Sequence, residues 1–256
     1  MKVHIITDLE GPALISRFDQ TRDVTPEQKP RWMRLLTGEI NACVDGILDF
    51  DPDAEVVVWD GHGSGGIVEE LFHRDAKLIA RGPIRAPYGL DRSFDALMFV
   101  GQHAKMGDRG VLCHTYSSKS IEYYKINGIE MGEFGCRALM AGTMGVPTTL
   151  VTGDDVTFEE ARALIPNIQG AVVKWAMGRE TALHLSHQAA CDVIRVQARL
   201  ACERTAQIKP YYFEGPYTQE VRYLEGVEVP QHGPDWERVD ERTIRKTTDN
   251  ILELRV

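Results

Sequence analysis

The sequence lacks several features that commonly reveal a protein's function. It has no run of Lys and Arg, and the net charge over its 256 residues is -9. Both facts argue against a nucleic-acid-binding surface, because such surfaces are usually basic. No stretch approaches the roughly 18 consecutive apolar residues of a membrane-spanning helix. The N-terminal residues become charged too early for a signal peptide. We therefore expect no nucleic-acid partner and no membrane partner.

The cysteines exclude two further kinds of site. Their number is odd and no pair has the Cys-x-x-Cys spacing, so they support neither a disulfide framework nor a cysteine-based zinc site. Free thiols are typical of proteins in a reducing compartment. The sequence therefore predicts a cytoplasmic protein. The cysteines are Cys43, Cys113, Cys136, Cys191 and Cys202.

Short β-branched runs alternate with longer segments of helical periodicity. Strands are predicted at residues 2–7, 54–60, 76–80, 95–101 and 148–154. Helices are predicted at residues 25–50 (once past Pro30), 132–145, 157–165 and 186–208. Residues 122–128 read as one arm of a hairpin, and the last fifty residues read as short β-segments and turns. Continuous apolar strands separated by helices predict an α/β fold with a mainly parallel sheet flanked by helices. We expect one domain, 1–256, in which 209–256 form a β-rich C-terminal extension.

Polar residues stand where the predicted strands end. The run VVVWDGHGSGG, residues 56–66, stops at Asp60 and is followed by His62 among glycines. Ligands of open α/β sheets bind beyond the carboxyl ends of the strands, and glycine lets the backbone approach closely there. We therefore expect the polar residues near these ends to converge. They are Asp8, Glu10, Asp60, His62, His103, His114 and Glu133.

Taken singly, each of these residues has an ordinary explanation as a helix cap, a turn residue or a surface histidine. Taken together, three carboxylates would repel one another unless a cation neutralised them. Three carboxylates and two imidazoles suit zinc, and manganese, cobalt or iron less well. Five ligands suit two ions better than one, with one carboxylate bridging. His114 then remains as a free imidazole for proton transfer or direct attack.

Three other features leave alternatives open. Asp60 is expected to orient His62 or to line the pocket. The GSGG segment could instead bind phosphate, although it lacks the spacing of the known phosphate loops. Asn127 stands at the predicted hairpin turn, where it is either a turn residue or a contact to the substrate or a neighbouring subunit.

Six segments in order resemble those of the zinc-dependent D-aminopeptidase family. They are TDLEG, WDGHGSG, VGQHA, CHTY, INGIEMGEFG and LVTGDD, within residues 1 to about 190. The chain departs from the family pattern at Gly61 and Cys113, where the family often has Ser. Neither departure removes a ligand. The segment after Glu10 and most of the last fifty residues do not align clearly.

The resemblance implies a site, an activity and an assembly. It implies two zinc ions per subunit, with Asp8 as the bridging carboxylate and His114 as the catalytic nucleophile. The implied substrates are short peptides that lose their N-terminal residues, D-Ala above all. The implied assembly is a homodecamer of two stacked pentamers. The implied zinc ligands are Asp8, Glu10, His62, His103 and Glu133.

Two other functions compete with this interpretation. The first is a dinuclear metallohydrolase acting on another amide or on a phosphoester, for which Lys105 and Arg109 could clamp a phosphate. The second is a non-catalytic protein that binds metal or peptide. The sequence leaves the choice between D- and L-residues open, because a list of side chains does not show the handedness of a pocket.

Overall fold

The computed structural model describes residues 1–80 and 84–256. Within them the chain forms twelve strands, four α-helices and four short 3-10 helices. The strands are β1 (Lys2–Thr7), β2 (Glu55–Asp60), β3 (Ala76–Ile79), β4 (Ala96–Gln102), β5 (Ile121–Ile126), β6 (Ile129–Met131), β7 (Thr148–Asp154), β8 (Gln169–Gly178), β9 (Thr181–His184), β10 (Tyr217–Tyr223), β11 (Glu237–Arg238) and β12 (Thr243–Thr248). The α-helices are α1 (Lys29–Phe50), α2 (Glu133–Thr143), α3 (Asp155–Leu164) and α4 (His187–Glu203). The 3-10 helices are Phe18–Gln20, Glu69–Leu71, Thr205–Gln207 and Ile251–Glu253.

Seven strands form the central sheet in the order β3-β2-β1-β4-β7-β8-β9. All neighbouring pairs are parallel except β8 and β9. Side chains of the inner strands alternate between two cores: Ile5 packs in the core that contains α1 and α4, and Ile6 in the core that contains α2. Burial on both faces explains the near-continuous apolar strands. The predicted α/β fold with a mainly parallel, helix-flanked sheet is confirmed.

The helices cover both faces of this sheet. α1 and α4 pack against each other on one face. A Cβ at Gly46 of α1 would lie 2.2 Å from the carbonyl oxygen of Arg195 in α4, so glycine is required for so close an approach. α2 and α3 lie on the other face together with a second sheet.

The second sheet is antiparallel, with the order β11-β12-β10-β5-β6. The predicted hairpin is confirmed: β5 and β6 pair, and the turn between them holds Asn127 at φ 51° and Gly128 at φ 81°. The predicted C-terminal β-segments are β10, β11 and β12, and β10 pairs with β5. The C-terminal strands therefore complete a sheet that begins in the middle of the chain. The division into one domain with an extension at 209–256 stays a prediction.

The structure differs from the sequence prediction at one missed hairpin and at one helix end. The sequence analysis placed no strand between residues 166 and 185, where the structure has β8 and β9. Lys174 interrupts the apolar run of β8, and the outer part of this hairpin is exposed, so the run does not read as a buried strand. The helix predicted to reach residue 208 ends at Glu203. Within residues 1–80 and 84–256, no helix has the length and apolarity needed to cross a membrane.

Candidate metal centre

Four chain segments carry the predicted ligands to one edge of the central sheet. Asp8 and Glu10 follow β1, His62 follows β2, His103 follows β4, and Glu133 is the first residue of α2. β1 lies between β2 and β4, and the three strands are parallel, so their carboxyl ends are neighbours. The structure therefore brings all five side chains together, each of them at most 10% exposed.

Asp8 lies at the centre of the cluster and faces a different histidine with each carboxylate oxygen. Its Oδ1 is 2.9 Å from Nδ1 of His62, and its Oδ2 is 3.4 Å from Nε2 of His103. Oε2 of Glu10 lies 3.2 Å from the same nitrogen of His62. Oε1 of Glu133 lies 3.3 Å from Nε2 of His103. The cluster thus consists of two halves, Glu10 with His62 and Glu133 with His103, which share Asp8.

The electrostatics of the cluster favour a bound cation. Burial would raise the pKa of Asp8, but its interactions with His103 and His62 hold that pKa well below its usual value. Burial would lower the pKa of His62, but the charge of Glu10 and the hydrogen bond to Asp8 raise it to about 10. The pKa of His103 is likewise raised, against burial, by Asp8 and Glu133. Protons on these histidines compete with a metal for the same carboxylates, and metal binding releases them.

Two buried atoms of the cluster make no hydrogen bond: Oε2 of Glu10 and Nε2 of His103. A buried polar atom without a partner costs about 1–3 kcal/mol, and a bound metal would satisfy both atoms. Ligand atoms of Asp8, Glu10 and His103 lie within 4.8 Å of one another, as do those of His103, His114 and Glu133. Carboxylate oxygens and imidazole nitrogens are donors that zinc accepts. The residues present therefore fit a zinc centre.

The close approach of these loops depends on Gly101 near the end of β4. It has φ 80°, and a Cβ there would lie 2.2 Å from the carbonyl oxygen of Asp8. The Gly11 N–H donates to the Gly101 carbonyl at 2.7 Å, and the Asp8 N–H donates to the Val100 carbonyl at 3.0 Å. The segment that carries Asp8 and Glu10 therefore runs directly against the segment that leads to His103.

Lys174 and Glu39, which sequence reasoning missed, hold the loop after Glu10. The buried Lys174 Nζ donates to the carbonyl oxygens of Glu10 at 2.6 Å, Pro12 at 3.2 Å and Ile15 at 2.6 Å. Burial lowers the pKa of Lys174 to about 8. Oε1 of Glu39 accepts a hydrogen bond from the backbone N–H of residue 13 at 2.8 Å. A lysine in the middle of an apolar run was the available signal, but it does not say what the lysine binds.

His114 lies beside the cluster, and one of its ring nitrogens makes no hydrogen bond and can react. Its Nδ1 donates to the Leu112 carbonyl at 2.8 Å, which leaves the lone pair of the neutral ring on Nε2. Nε2 is 4.0 Å from Oε1 of Glu133. The ring stacks on His103 at 3.9 Å, and burial together with the charge of His103 lowers the pKa of His114. A neutral imidazole with a free Nε2 can accept a proton, attack a carbonyl or bind a metal.

Cys113 is not placed as a nucleophile beside His114. Its Sγ donates to the Asp108 carbonyl at 3.1 Å, and burial raises the pKa of the thiol. It borders a different cavity, shared with Arg109 and Arg179. Adjacent residues of an extended segment point in opposite directions, which accounts for this separation from His114.

Asp60 supports the loop that carries His62. Both of its carboxylate oxygens accept the Gly66 N–H, at 2.9 and 3.1 Å, and so join the two ends of the loop. The Nδ1 of His62 faces Asp8 and Glu10. The structure therefore shows a contact of Asp60 with the loop backbone, and its role in orienting His62 or lining the pocket stays a prediction.

Asn127 is bound within its own chain. Its side-chain amide donates to the Pro216 carbonyl at 3.1 Å, and its side-chain oxygen accepts the Thr218 N–H at 2.7 Å. These bonds join the hairpin turn to the start of β10. A contact of Asn127 with the substrate or with a neighbouring subunit stays a prediction.

A cavity of about 460 Å³ opens over the cluster. Its wall includes Asp8, Glu10, His62, His114, Glu133 and Arg137, and its rim includes Arg22, Ser64, Ser117, Ser118 and Lys119. The two cations considered as phosphate clamps lie elsewhere. Nζ of Lys105 pairs with Asp108 at 2.7 Å, and Arg109 borders the cavity of Cys113.

Known proteins are similar to this chain in sequence and in structure. A curated D-aminopeptidase of Bacillus subtilis (strain 168) is 30% identical over 213 residues, which cover 82% of this chain and 77% of that protein. A solved structure, the Zn-dependent D-aminopeptidase DppA from Bacillus subtilis, described as a self-compartmentalizing protease, superposes with a TM-score of 0.91. It is 25% identical, and the alignment covers 99% of this chain and 93% of the other.

The same fold therefore extends over nearly the whole chain, including the C-terminal strands, most of which the sequence resemblance did not reach. A model of the D-aminopeptidase family, Peptidase_M55, matches residues 1–255. The resemblance inferred from six short segments is confirmed, and the chain belongs to the D-aminopeptidase family.

Proposed function

We propose that this protein is a dinuclear zinc aminopeptidase that releases N-terminal residues, D-amino acids such as D-Ala, from short peptides. The observation that carries the proposal is the position of Asp8, whose two oxygens face the two halves of the cluster. A carboxylate so placed can bridge two ions. Membership of the D-aminopeptidase family and the zinc dependence of the DppA structure support the choice of reaction and metal.

Each half of the cluster would hold one ion. Glu10 and His62 would bind the first, His103 and Glu133 the second, and Asp8 both. Zinc at these positions would supply Lewis acidity to the carbonyl of the scissile bond. Tyr116 donates its backbone N–H to Oε1 of Glu133 at 2.9 Å, which fixes the orientation of that ligand.

The chain itself supplies His114 for the proton transfers. Nε2 can take a proton from the attacking water and return it to the departing amine, or it can attack the carbonyl carbon itself. In both routes the bond between the carbonyl carbon and the amide nitrogen breaks, and one water supplies an oxygen to the new carboxylate and a proton to the amine. In direct attack the acyl group is first carried on Nε2 of His114, and the water then breaks the bond between that nitrogen and the acyl carbon. The free Nε2 and the lowered pKa of His114 support either role.

The test compares the two enantiomeric dipeptides on protein loaded with zinc. We expect two zinc ions per chain by elemental analysis and rapid release of alanine from D-Ala-D-Ala, with little release from L-Ala-L-Ala. Protein stripped with a chelator is the control and should be inactive until zinc is restored. Release from L-Ala-L-Ala alone would contradict the proposed specificity, and one zinc per chain at full activity would contradict the dinuclear centre.

We also propose a homo-oligomer, a decamer of two stacked pentamers. The self-compartmentalizing relative supports assembly. So does an apolar face on the β8–β9 hairpin: Trp175 and Leu183 are cross-strand partners and are 39% and 61% exposed, and Met177 is 73% exposed. Water-exposed apolar groups clustered in this way are typical of an interface.

Light scattering should therefore give a mass near ten times the 28.7 kDa of the chain. Met177→Asp should lower that mass, because it buries a charge in the contact. Val239→Asp, at another exposed apolar position, is the matched control and should leave the mass unchanged. A monomeric wild-type protein would contradict the assembly, and an intact Met177→Asp oligomer would place its interface elsewhere.

Five free cysteines support a cytoplasmic location.

A further inference from the structure

The cavity over the cluster is bordered by a buried arginine, two of whose nitrogens make no hydrogen bond. Arg137 lies one turn after Glu133 on α2, borders the cavity and is 4% exposed. Its Nη1 is 3.2 Å from Oε2 of Glu133. Nevertheless Nε and Nη1 are both buried without a hydrogen bond. A guanidinium presents five N–H donors in a rigid plane, so Arg137 has N–H donors that could still bind an acceptor.

Aromatic rings hold this guanidinium in place. Its central carbon lies 5.2 Å from the ring centre of Trp59, 5.9 Å from that of Tyr88 and 5.5 Å from that of Tyr116. Trp59 and Tyr88 themselves stack at 4.0 Å with an interplanar angle of 5°. Aromatic faces attract a cation but leave its in-plane donors unsatisfied. The rings therefore hold the arginine in one orientation without supplying an acceptor for its N–H groups.

The acidic partner of Arg137 is shared with other groups. Oε1 of Glu133 accepts the Tyr116 N–H and faces His103, and the carboxylate is a proposed zinc ligand. The other cations at the cavity are differently placed: Arg22 and Lys119 both pair with Asp23, at 2.7 and 2.8 Å. Arg137 is thus the cavity cation that most needs a further anion.

We propose that Arg137 binds the free α-carboxylate of the substrate and so selects dipeptides. The inference rests on the proposed aminopeptidase function. Arg137 and His103 contact opposite oxygens of one carboxylate, that of Glu133. A substrate carboxylate bound by Arg137 would therefore lie close to a scissile carbonyl at the cluster. The two groups would be separated by about one residue of the substrate, or roughly 3.5 Å of chain. Arg and carboxylate form paired, charge-assisted hydrogen bonds.

The experiment compares D-Ala-D-Ala with its C-terminal amide. We expect the wild-type protein to hydrolyse the acid roughly 10- to 100-fold better than the amide in kcat/KM, with the difference in KM. Arg137→Gln should lose this factor on the acid and little on the amide, and Arg137→Lys should be intermediate. Lys119→Gln, a cation at the rim, is the matched control and should keep the acid-to-amide ratio. Zinc content is measured for every variant.

Binding provides a second readout that does not depend on turnover. The reduced-amide analogue of D-Ala-D-Ala has no scissile carbonyl, so calorimetry can measure it and its C-terminal amide as ligands. Tighter binding of the acid by wild-type protein, lost in Arg137→Gln, supports the subsite even if no peptide is hydrolysed. Failure of the proposed function is thus distinguished from failure of this inference.

Three results would overturn the inference. One is equal use of acid and amide by the wild-type protein. Another is an Arg137→Gln variant that loses the same factor on both, because Arg137 would then act through Glu133 alone. The third is a preference for D-Ala-D-Glu amide over D-Ala-D-Gln amide that exceeds the preference for D-Ala-D-Ala over its amide, because Arg137 would then bind a side-chain carboxylate.

Discussion

Replacing Asp8 by alanine is expected to remove both the metal and the activity. Asp8 supplies one oxygen to each half of the cluster, so its loss leaves His62 with Glu10 and His103 with Glu133 but nothing between them. We expect zinc content to fall from two ions to one or none and kcat/KM on D-Ala-D-Ala to fall on the order of 1,000-fold or more. Elemental analysis and a stopped assay for alanine measure the two effects.

A thermal readout separates loss of metal from loss of fold. A ligand that binds only the folded state raises the melting temperature, so added zinc should stabilise the wild-type protein strongly and Asp8→Ala weakly. Asp8→Asn keeps the shape of the side chain but replaces one oxygen by an amide, and should also fail to bind two ions. Asp53→Asn, in the exposed turn before β2, is the control and should behave as the wild type. Two tightly held zinc ions in Asp8→Ala would show that Asp8 is not the bridge.

Replacing His114 by alanine is expected to remove turnover while the zinc content stays at two. General acid–base or nucleophilic groups commonly contribute 100- to 10,000-fold, roughly, and we expect kcat to fall within that range. The five proposed ligands do not include His114, whose Nδ1 is occupied by the Leu112 carbonyl. The zinc content of this variant tests whether His114 is a ligand, because the geometry also allows it to bind a metal together with His103 and Glu133.

The neighbouring residue provides the matched control. Cys113→Ser should keep turnover and metal, because the Cys113 thiol contacts Asp108 and borders a different cavity. Zinc lost from His114→Ala would make His114 a ligand, and full activity in that variant would deny it any catalytic role. Acid quenching during turnover followed by mass spectrometry tests for direct attack, which would leave a D-alanyl group on His114.

The residues near the candidate metal centre differ in how far the sequence revealed them. Asp8, His62 and His103 could be found because each follows a strand of a predictable parallel sheet, and parallel strands end at a common edge. Lys174 and Arg137 could not be found in the same way. Lys174 acts on carbonyls more than 150 positions away, and Arg137 lies in a helix whose sequence shows only an ordinary Glu–Arg pair.

Asp60 shows the limit of reasoning from neighbours. Its position two residues before His62 suggested that it orients the ring or lines the pocket, and nothing in the sequence indicated that its carboxylate also accepts the Gly66 N–H and shapes the loop. The sequence showed that Asp60 lies close to His62, but it did not show which groups the Asp60 side chain contacts. Lys174 in β8 is a second example. It made this strand hard to recognise in the sequence, and only the structure shows the buried carbonyl groups that it binds.

The sequence by itself determined most of the strands and helices, the glycine-flanked ends of the strands and the ligand types available there, because periodicity and composition are local properties. Only the tertiary structure decided which oxygen of Asp8 faces which histidine, that Lys174 holds the loop of Glu10 and that Arg137 keeps unused donors beside the cavity. These features depend on burial and on contacts between distant segments. Such contacts fix the direction of each side chain, and residue order does not contain that information.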